Sequence, residues 1–138
     1  MTIEIYYLDK NEQTLSKSQI DYVQLNSGTP YNGYSYMQQA KLYEESTGNK
    51  TGIYYSTKFI QTDSSDNTIN IQGTTTLSFN NGILVFSTCR NNLLLKAGDI
   101  LYHTPTYQSG IYFKKNVEIV IEIIQGPTGL LNKYLIIY

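Results

Sequence analysis

Residues 68–89 read TINIQGTTTLSFNNGILVFSTC, and this stretch decides the fold class of the chain. From Thr68 to Phe79, the odd-numbered positions are mostly apolar, while every even-numbered position is polar. Alternation with a period of two gives a β-strand one dry face and one face in solvent. Asn81-Gly82 follows, and both residues tolerate the positive φ of a type I′ turn. The sequence therefore predicts a hairpin that pairs Thr68–Phe79 with Ile83–Cys89.

The same period of two runs through most of the remaining chain. Other predicted strands are Thr2–Leu8, Ile20–Leu25, Tyr36–Tyr43, Ile53–Gln61, Ile100–His103, Val117–Ile124 and Leu131–Ile137. Only Ser16–Gln19 resembles a helix, and turn-forming residues separate the strands at even spacing without a long linker. We therefore predict one all-β domain over residues 1–138, a single antiparallel β-barrel of about eight strands.

The composition excludes several classes of protein. Hydrophobic residues make up 41% and charged residues 15%, which suits a packed core and argues against disorder. A net charge of −1 attracts neither nucleic acid nor anionic lipid, and no apolar run is long enough to span a bilayer. Residues 1–8 show no signal peptide, so we expect a cytoplasmic or virion location. Isoleucine, tyrosine, asparagine and lysine, whose codons are AT-rich, supply 51 of 138 residues, which indicates an AT-rich genome such as those of many large DNA viruses, some protists and some low-GC bacteria.

The single cysteine and the single histidine carry no recognisable chemistry. Cys89 ends the alternation Ile83–Cys89 and is expected to be a buried, inert thiol. His103 is expected in a loop near Pro105, and no nucleophile elbow or glycine-rich oxyanion loop accompanies it. One histidine and one cysteine are too few for a tetrahedral zinc site, although counting leaves a carboxylate site open. We predict no catalytic residue, no metal and no cofactor.

Two glutamates on one predicted strand are the main candidates for a binding site. Glu118 and Glu122 share one face of Val117–Ile124, and the other face is wholly apolar. Four residues at ~3.3 Å each separate the two carboxylates by about 13 Å, which is too far for an inverting glycosidase pair. If the apolar face fills the core, the glutamates are solvated. If it packs against another subunit, they line a barrel cavity and, with Tyr112, form the candidate ligand-binding set.

The region around Tyr112 resembles a family of barrel proteins. Dirigent and allene oxide cyclase proteins carry a Gly-Gly-Thr-Gly-x-Phe/Tyr turn before their last long hairpin, and Thr106–Tyr112 is similar to it in position. Gly110 and Tyr112 match that motif, whereas Tyr107 and Gln108 replace its glycine pair. The resemblance implies an eight-stranded barrel that assembles as a trimer. The family's acid and base positions do not align with this chain, so no catalytic residue is carried over.

Three functions remain open from the sequence. The first is a non-catalytic barrel that self-associates as a structural or accessory protein, and the second is a module that binds a small apolar or carbohydrate ligand. The 14 tyrosines, with a cluster at Tyr31, Tyr34 and Tyr36, suit either a sugar-stacking surface or a protein interface. The third is an isomerase or cyclase, which the resemblance alone implies. We expect a homo-oligomer, most simply a trimer, because Val117–Ile124 carries apolar residues on both faces.

Overall fold

The computed structural model describes residues 1–9, 14–21, 31–63, 68–91, 95–127 and 129–138. Regular structure in these ranges consists of ten strands: β1 (Ile3–Leu8), β2 (Thr14–Asp21), β3 (Tyr31–Glu44), β4 (Lys50–Asp63), β5 (Thr68–Phe79), β6 (Gly82–Asn91), β7 (Ile100–His103), β8 (Tyr107–Gly110), β9 (Glu118–Gly126) and β10 (Gly129–Ile137). Within the described ranges, no helix has the length and apolar character needed to cross a membrane.

The strands form one antiparallel sheet that curls into a half-barrel of nine strands, in the order β7-β9-β10-β1-β3-β4-β5-β6-β8. The tenth strand, β2, pairs with the part of β3 that β1 leaves uncovered. The predicted all-β barrel architecture is confirmed, with ten strands instead of about eight. Ser16–Gln19, which resembles a helix in sequence, lies inside β2, because pairing with β3 outweighs local propensity there. Residues 22–25 of the predicted strand Ile20–Leu25 lie outside the described residues.

The two ends of the sheet are neighbours in the chain. Only residues 104–106 separate β7 from β8, and a connection of this length spans at most about 14 Å. The Thr106 amide donates a hydrogen bond to the Val85 carbonyl at 2.7 Å, and the His103 ring centre lies 4.7 Å from that of Phe86. The prediction of His103 as a loop residue is wrong, because it ends β7 and packs against the inner face of β6.

The concave side of the sheet holds the hydrophobic core. Its buried side chains form one cluster, which contains Tyr6, Leu8, Ala40, Leu42, Tyr54, Leu77, Phe79, Leu84, Phe86, Tyr112, Val117, Ile119, Ile121, Ile123, Tyr134 and Ile136. The wholly apolar face of β9 therefore fills the core, and the alternation of β5 directs Leu77 and Phe79 inward, as the sequence predicts.

The prediction that Cys89 is buried is wrong, because β6 turns its other face inward. Leu84 and Phe86 are in the core, whereas the Cys89 thiol is exposed. The register pairs Leu77 of β5 directly with Leu84, and directly opposed residues of neighbouring strands point to the same side of a sheet. The even-numbered residues of β6 consequently face the core, and the slightly more apolar odd-numbered series faces outward.

The β5–β6 hairpin is confirmed, but its turn is displaced by one residue from the predicted position. Phe79 pairs with Gly82, so Asn80 and Asn81 form the turn. Neither asparagine has a positive φ, and Gly82 does not have one either, so the predicted type I′ geometry is wrong. The turn therefore does not require a glycine at position 82.

Packing explains Gly82 instead. A Cβ at this position would lie 2.8 Å from the Ser109 carbonyl oxygen and 2.8 Å from Cδ2 of the Tyr112 ring. Gly82 pairs across the sheet with Gly110, whose φ of +66° favours glycine and whose own Cβ would collide with the backbone of the turn. The two opposed glycines let β8 approach the hairpin closely, and the Tyr112 ring lies over the space that they leave.

We predict that Gly82→Ala lowers the free energy of unfolding by about 1–3 kcal/mol, because the added methyl group overpacks the Tyr112 ring and a backbone carbonyl. Asn81→Ala, in the exposed turn next to it, is the matched control and should change stability by no more than about 0.5 kcal/mol. Urea unfolding at a fixed protein concentration measures both values. Equal effects of the two substitutions would show that the contact with Tyr112 does not require the glycine.

Candidate functional site

Glu4, on the inner face of β1, accepts hydrogen bonds from two tyrosines. The Tyr112 hydroxyl donates to Oε1 at 2.8 Å, and the Tyr6 hydroxyl donates to Oε2 at 3.3 Å. The Tyr138 ring stands edge-on to the Tyr112 ring, with centroids 5.2 Å apart and an interplanar angle of 87°. We call these four residues the Glu4–tyrosine cluster. It joins β1, the residues after β10 and the turn after β8.

The turn that delivers Tyr112 to this cluster is held by one side chain. The Gln108 amide donates hydrogen bonds to the Tyr112 carbonyl at 2.5 Å and to the Lys115 carbonyl at 2.6 Å. Lys114, inside the turn, has a positive φ of 59°. Gln108 is one of the two residues that stand where the dirigent motif has its glycine pair, and its side chain fastens this turn.

The electrostatics of the cluster keep its tyrosines protonated. Burial, and then the hydrogen bond to Glu4, raises the pKa of Tyr112 well above its usual range. Burial and the nearby Glu4 charge raise the pKa of Tyr6 in the same way, and burial also raises the pKa of Tyr138. A phenol with a raised pKa is a poor proton donor in catalysis at neutral pH. Chemically, the cluster is a set of neutral donors that holds a carboxylate in place.

Sequence reasoning missed Glu4, because Ile3 and Ile5 make the odd-numbered face of β1 the more apolar one. The structure turns that face outward, and the Ile3 side chain is 50% exposed. Pairing with β10, in which Glu4 is opposite Ile136, directs the carboxylate inward. The sequence feature that could have identified Glu4 as an inward-facing residue is the even-numbered series of β1, in which Glu4 precedes Tyr6 and Leu8.

The structure separates the three predicted ligand-binding residues. Tyr112 is fully buried on the inner side, whereas Glu118 is exposed on the outer face of β9. Glu122 lies on the same outer face, with its carboxylate 3.6 Å from the Lys133 ammonium group. The arrangement in which both glutamates line a cavity is therefore wrong, because the opposite side of β9 fills the core. The side chains of Tyr31, Tyr34 and Tyr36 lie outside the described residues.

Among the described residues, a small pocket lies on the inner side of the half-barrel beside the core. It has a volume of about 30 Å³, and its lining includes Tyr54, Lys58, His103 and Asn132. Such a space suits about one water molecule rather than an organic ligand. The Ser56 hydroxyl is buried nearby on the same inner face of β4 and has no hydrogen-bond partner.

A larger pocket opens on the outside, beside the Glu4–tyrosine cluster. Its volume is about 460 Å³, within the usual range for small-molecule sites, although it is open to solvent. It is lined by Met1, Tyr102, His103, Thr104, Asn116, Val117, Glu118, Ile137 and Tyr138. Tyr138 belongs to both the pocket and the cluster, and Glu118 is the one predicted ligand-binding residue that the pocket contains.

The outer surface of β7, β9, β10 and β1 forms a continuous and largely apolar face, which we call the outer face. Strand registers arrange it in rows across the four strands. The central row is Tyr102–Val120–Leu135–Ile5, the row on one side is Ile100–Glu122–Lys133–Tyr7, and the row on the other side is Glu118–Ile137–Ile3. Tyr102 is 67% exposed, and Ile3 and Ile100 are about half exposed. Val120 on β9 is only 8% exposed, so the exposed apolar side chains lie mainly on the flanking strands β7 and β1. Apolar side chains grouped on one side of a sheet mark an interaction site.

Comparisons of the sequence with protein-family models and with curated proteins find no match. In the part of the chain that the structure describes, no group of three His, Cys, Asp or Glu side chains is placed to hold a metal ion. The functional argument therefore depends on the geometry of the cluster, the outer pocket and the outer face.

The raised pKa values of the buried tyrosines predict a loss of stability at high pH. Tyr6, Tyr112 and Tyr134 all have pKa values above that of a tyrosine in the unfolded chain, chiefly because they are buried. The unfolded chain therefore loses these protons first. The stabilisation is complete below about pH 10 and declines above it, by up to about 1.4 kcal/mol per pH unit for each tyrosine.

Tyr112→Phe tests this assignment. In urea unfolding between pH 8 and pH 11, variant and parent should run parallel up to about pH 10, and above it the variant should lose stability less steeply, by up to about 1.4 kcal/mol per pH unit, because one titrating group is removed. Curves for variant and parent that stay parallel above pH 10 would contradict the buried, protonated state of Tyr112.

Proposed function

We propose that this chain is a non-catalytic β-barrel protein that self-associates through its outer face, as a structural or accessory protein. The observation that carries the proposal is the central row Tyr102–Val120–Leu135–Ile5, in which the outward side chain of each strand is apolar, with Tyr102 67% and Val120 8% exposed. A sheet strand that is apolar on both sides needs cover on both sides. The core covers the inner side of β9, and a further protein surface would cover the outer side.

The contents of the half-barrel support this proposal over an internal ligand site. The core cluster fills the inner side, and the interior pocket of about 30 Å³ is too small for an organic ligand. The Glu4 carboxylate is already held by the hydroxyls of Tyr6 and Tyr112. The Glu4 carboxylate and the hydroxyls of Tyr6 and Tyr112 thus satisfy one another's hydrogen bonding. The outer face is an apolar surface that stays accessible.

The size of the outer face is sufficient for a specific interface. Strands β9 and β10 are nine residues long, which is about 30 Å, and four strands side by side span about 19 Å. Since β7 and β1 are shorter, the face presents roughly 500 Å² per copy, or roughly 1,000 Å² for two copies, at the lower end of specific protein interfaces. An interface of this size supports association that is reversible and depends on concentration.

A second candidate function is binding of a small planar or carbohydrate ligand in the outer pocket. The rings of Tyr102 and Tyr138 offer stacking surfaces there, and Asn116 and Glu118 offer polar contacts. Tyr102 and Glu118 also belong to the outer face, so ligand binding and self-association would compete for the same residues. An isomerase or cyclase activity is implied by the family resemblance alone and stays a prediction.

Sedimentation velocity at micromolar concentrations tests the proposal. We expect the parent protein to be oligomeric, and Tyr102→Glu to raise the dissociation constant at least tenfold by placing a charge in the central row. Phe113→Glu is the matched control, because Phe113 is similarly exposed, at 62%, but lies in the turn after β8. It should leave the dissociation constant within about threefold of the parent value, a change of less than about 1 kcal/mol.

A parent protein that stays monomeric up to 100 μM would contradict self-association. Equal weakening by Tyr102→Glu and Phe113→Glu would show that the protein associates through another surface. If the parent is monomeric, and a panel of monosaccharides and planar aromatic compounds contains one that shifts the resonances of Asn116 and Glu118, the ligand-binding function takes its place.

A further inference from the structure

Two of the three rows of the outer face keep their apolar or charge-paired character when the strands are exchanged in pairs. The exchange of β9 with β10 places Val120 where Leu135 stands, and it places Glu122 where Lys133 stands. The simultaneous exchange of β7 with β1 places Tyr102 where Ile5 stands. In the central row, apolar residues thus replace apolar residues, and Glu122 and Lys133 exchange opposite signs, whereas in the third row Glu118 exchanges with the apolar Ile137.

This pattern corresponds to a two-fold axis that lies in the surface, parallel to the strands, between β9 and β10. Rotation about such an axis reverses the order of the strands, but it keeps each residue at the same position along the strand direction. A second copy related by this axis would bring its Lys133 over Glu122 and its Leu135 over Val120. Since Glu122 and Lys133 are already 3.6 Å apart within one chain, the two copies would form a square of four alternating charges.

The other in-plane axis, which runs along the central row, is less favourable. Rotation about this axis reverses the positions of residues along each strand and keeps the order of the strands. The partner's Glu118 would then lie over Glu122, because the two are equally far from Val120 on the same strand. Two contacts between like charges would result, and like charges in direct opposition destabilise an interface. Charge complementarity therefore selects the axis between β9 and β10.

The shape of the face agrees with this choice. The face is the convex side of a curled sheet, so two copies touch first along β9 and β10 and separate toward the flanking strands. The exposed residues that would bridge the wider gap are Tyr102 on β7, which is 67% exposed, and Ile3 on β1, which is 50% exposed. Two sheets packed face to face usually align their strands within about 30°, which this axis permits.

We infer that the partner of the outer face is a second copy of this chain, bound about a two-fold axis parallel to β9 and β10, with Glu122 of each copy paired with the partner's Lys133. The inference rests on the proposed self-association and specifies its geometry. A contact of this kind is isologous, so it closes at two copies, and a dimer replaces the trimer expected from the sequence.

Two charge-reversal variants test the geometry when they are examined alone and mixed. Glu122→Lys gives a chain with two lysines at these positions, and Lys133→Glu gives a chain with two glutamates. Each homodimer then brings like charges together, so each variant alone should have a dissociation constant at least tenfold above that of the parent. In a 1:1 mixture the two lysines of one chain face the two glutamates of the other, so heterodimers should form with a dissociation constant within about threefold of the parent value.

Native mass spectrometry distinguishes the heterodimer from the homodimers, because the two variants differ in mass. Lys50→Glu is the matched control: it breaks the Lys50–Asp9 ion pair, 2.8 Å long, and Lys50 belongs to β4, two strands beyond β1 and outside the four strands of the outer face. It should leave the parent dimer intact. Far-UV circular dichroism of each variant checks that the sheet is retained.

The outcomes separate this geometry from self-association in general. A monomeric parent would contradict both. If the parent associates and both reversal variants behave like Lys50→Glu, the association stands but the axis between β9 and β10 is wrong. If both variants are monomeric alone and stay monomeric when mixed, the ion pair acts only within one chain, and the geometry is again wrong. A trimeric parent would also overturn it.

Discussion

The hydrogen bond from the Tyr112 hydroxyl to Glu4 joins parts of the sheet that are far apart in the strand order. Tyr112 follows β8 at one end of the sheet, whereas Glu4 belongs to β1 in the middle of the strand order. The ring reaches this partner because Gly82 leaves space for it, and Tyr138 packs against its edge. A curled sheet with only a short covalent connection between its ends needs such a contact to hold its shape. The charged acceptor makes the hydrogen bond stronger than a neutral one, and burial of the ring adds apolar stabilisation.

The contact between Tyr112 and Glu4 determines which surfaces of the protein are available for binding. A half-barrel that stayed open would expose a concave, ligand-sized groove, but here the aromatic and aliphatic side chains of the core cluster fill the concave side. The Glu4 carboxylate, which the sequence does not single out, is held by the hydroxyls of Tyr6 and Tyr112. Among the described residues, the outer side of β7, β9, β10 and β1 is one surface where the fold leaves apolar side chains exposed, and there apolar side chains and one ion pair form aligned rows. Self-association through that face, as we propose, covers it without any change within the barrel.

The sequence predicts the fold class well, because period-two alternation depends only on which face of a strand is dry. Thr68–Phe79 and the wholly apolar face of β9 behave as that rule requires. The rule fails where both faces of a strand carry apolar residues. In β1, Ile3 and Ile5 predict that the face opposite Glu4 is buried, and in β6 the rule assigns Cys89 to the buried face; both predictions are wrong. Only the register with neighbouring strands resolves these cases, and register depends on pairing between distant residues. Gly82 shows a similar limit, since the reason for the glycine is the ring of Tyr112, which lies 30 positions away in sequence.

A double-mutant cycle on Glu4 and Tyr112 tests the closure most directly. The free energy of unfolding is measured for the parent, Glu4→Ala, Tyr112→Phe and the double variant at pH 7 and one fixed protein concentration, since association also contributes to stability. The account predicts a coupling free energy of about 1.5–3 kcal/mol, the value expected for a buried hydrogen bond to a charged acceptor. Additive effects, with a coupling below about 0.5 kcal/mol, would contradict the claim that this bond holds the half-barrel closed.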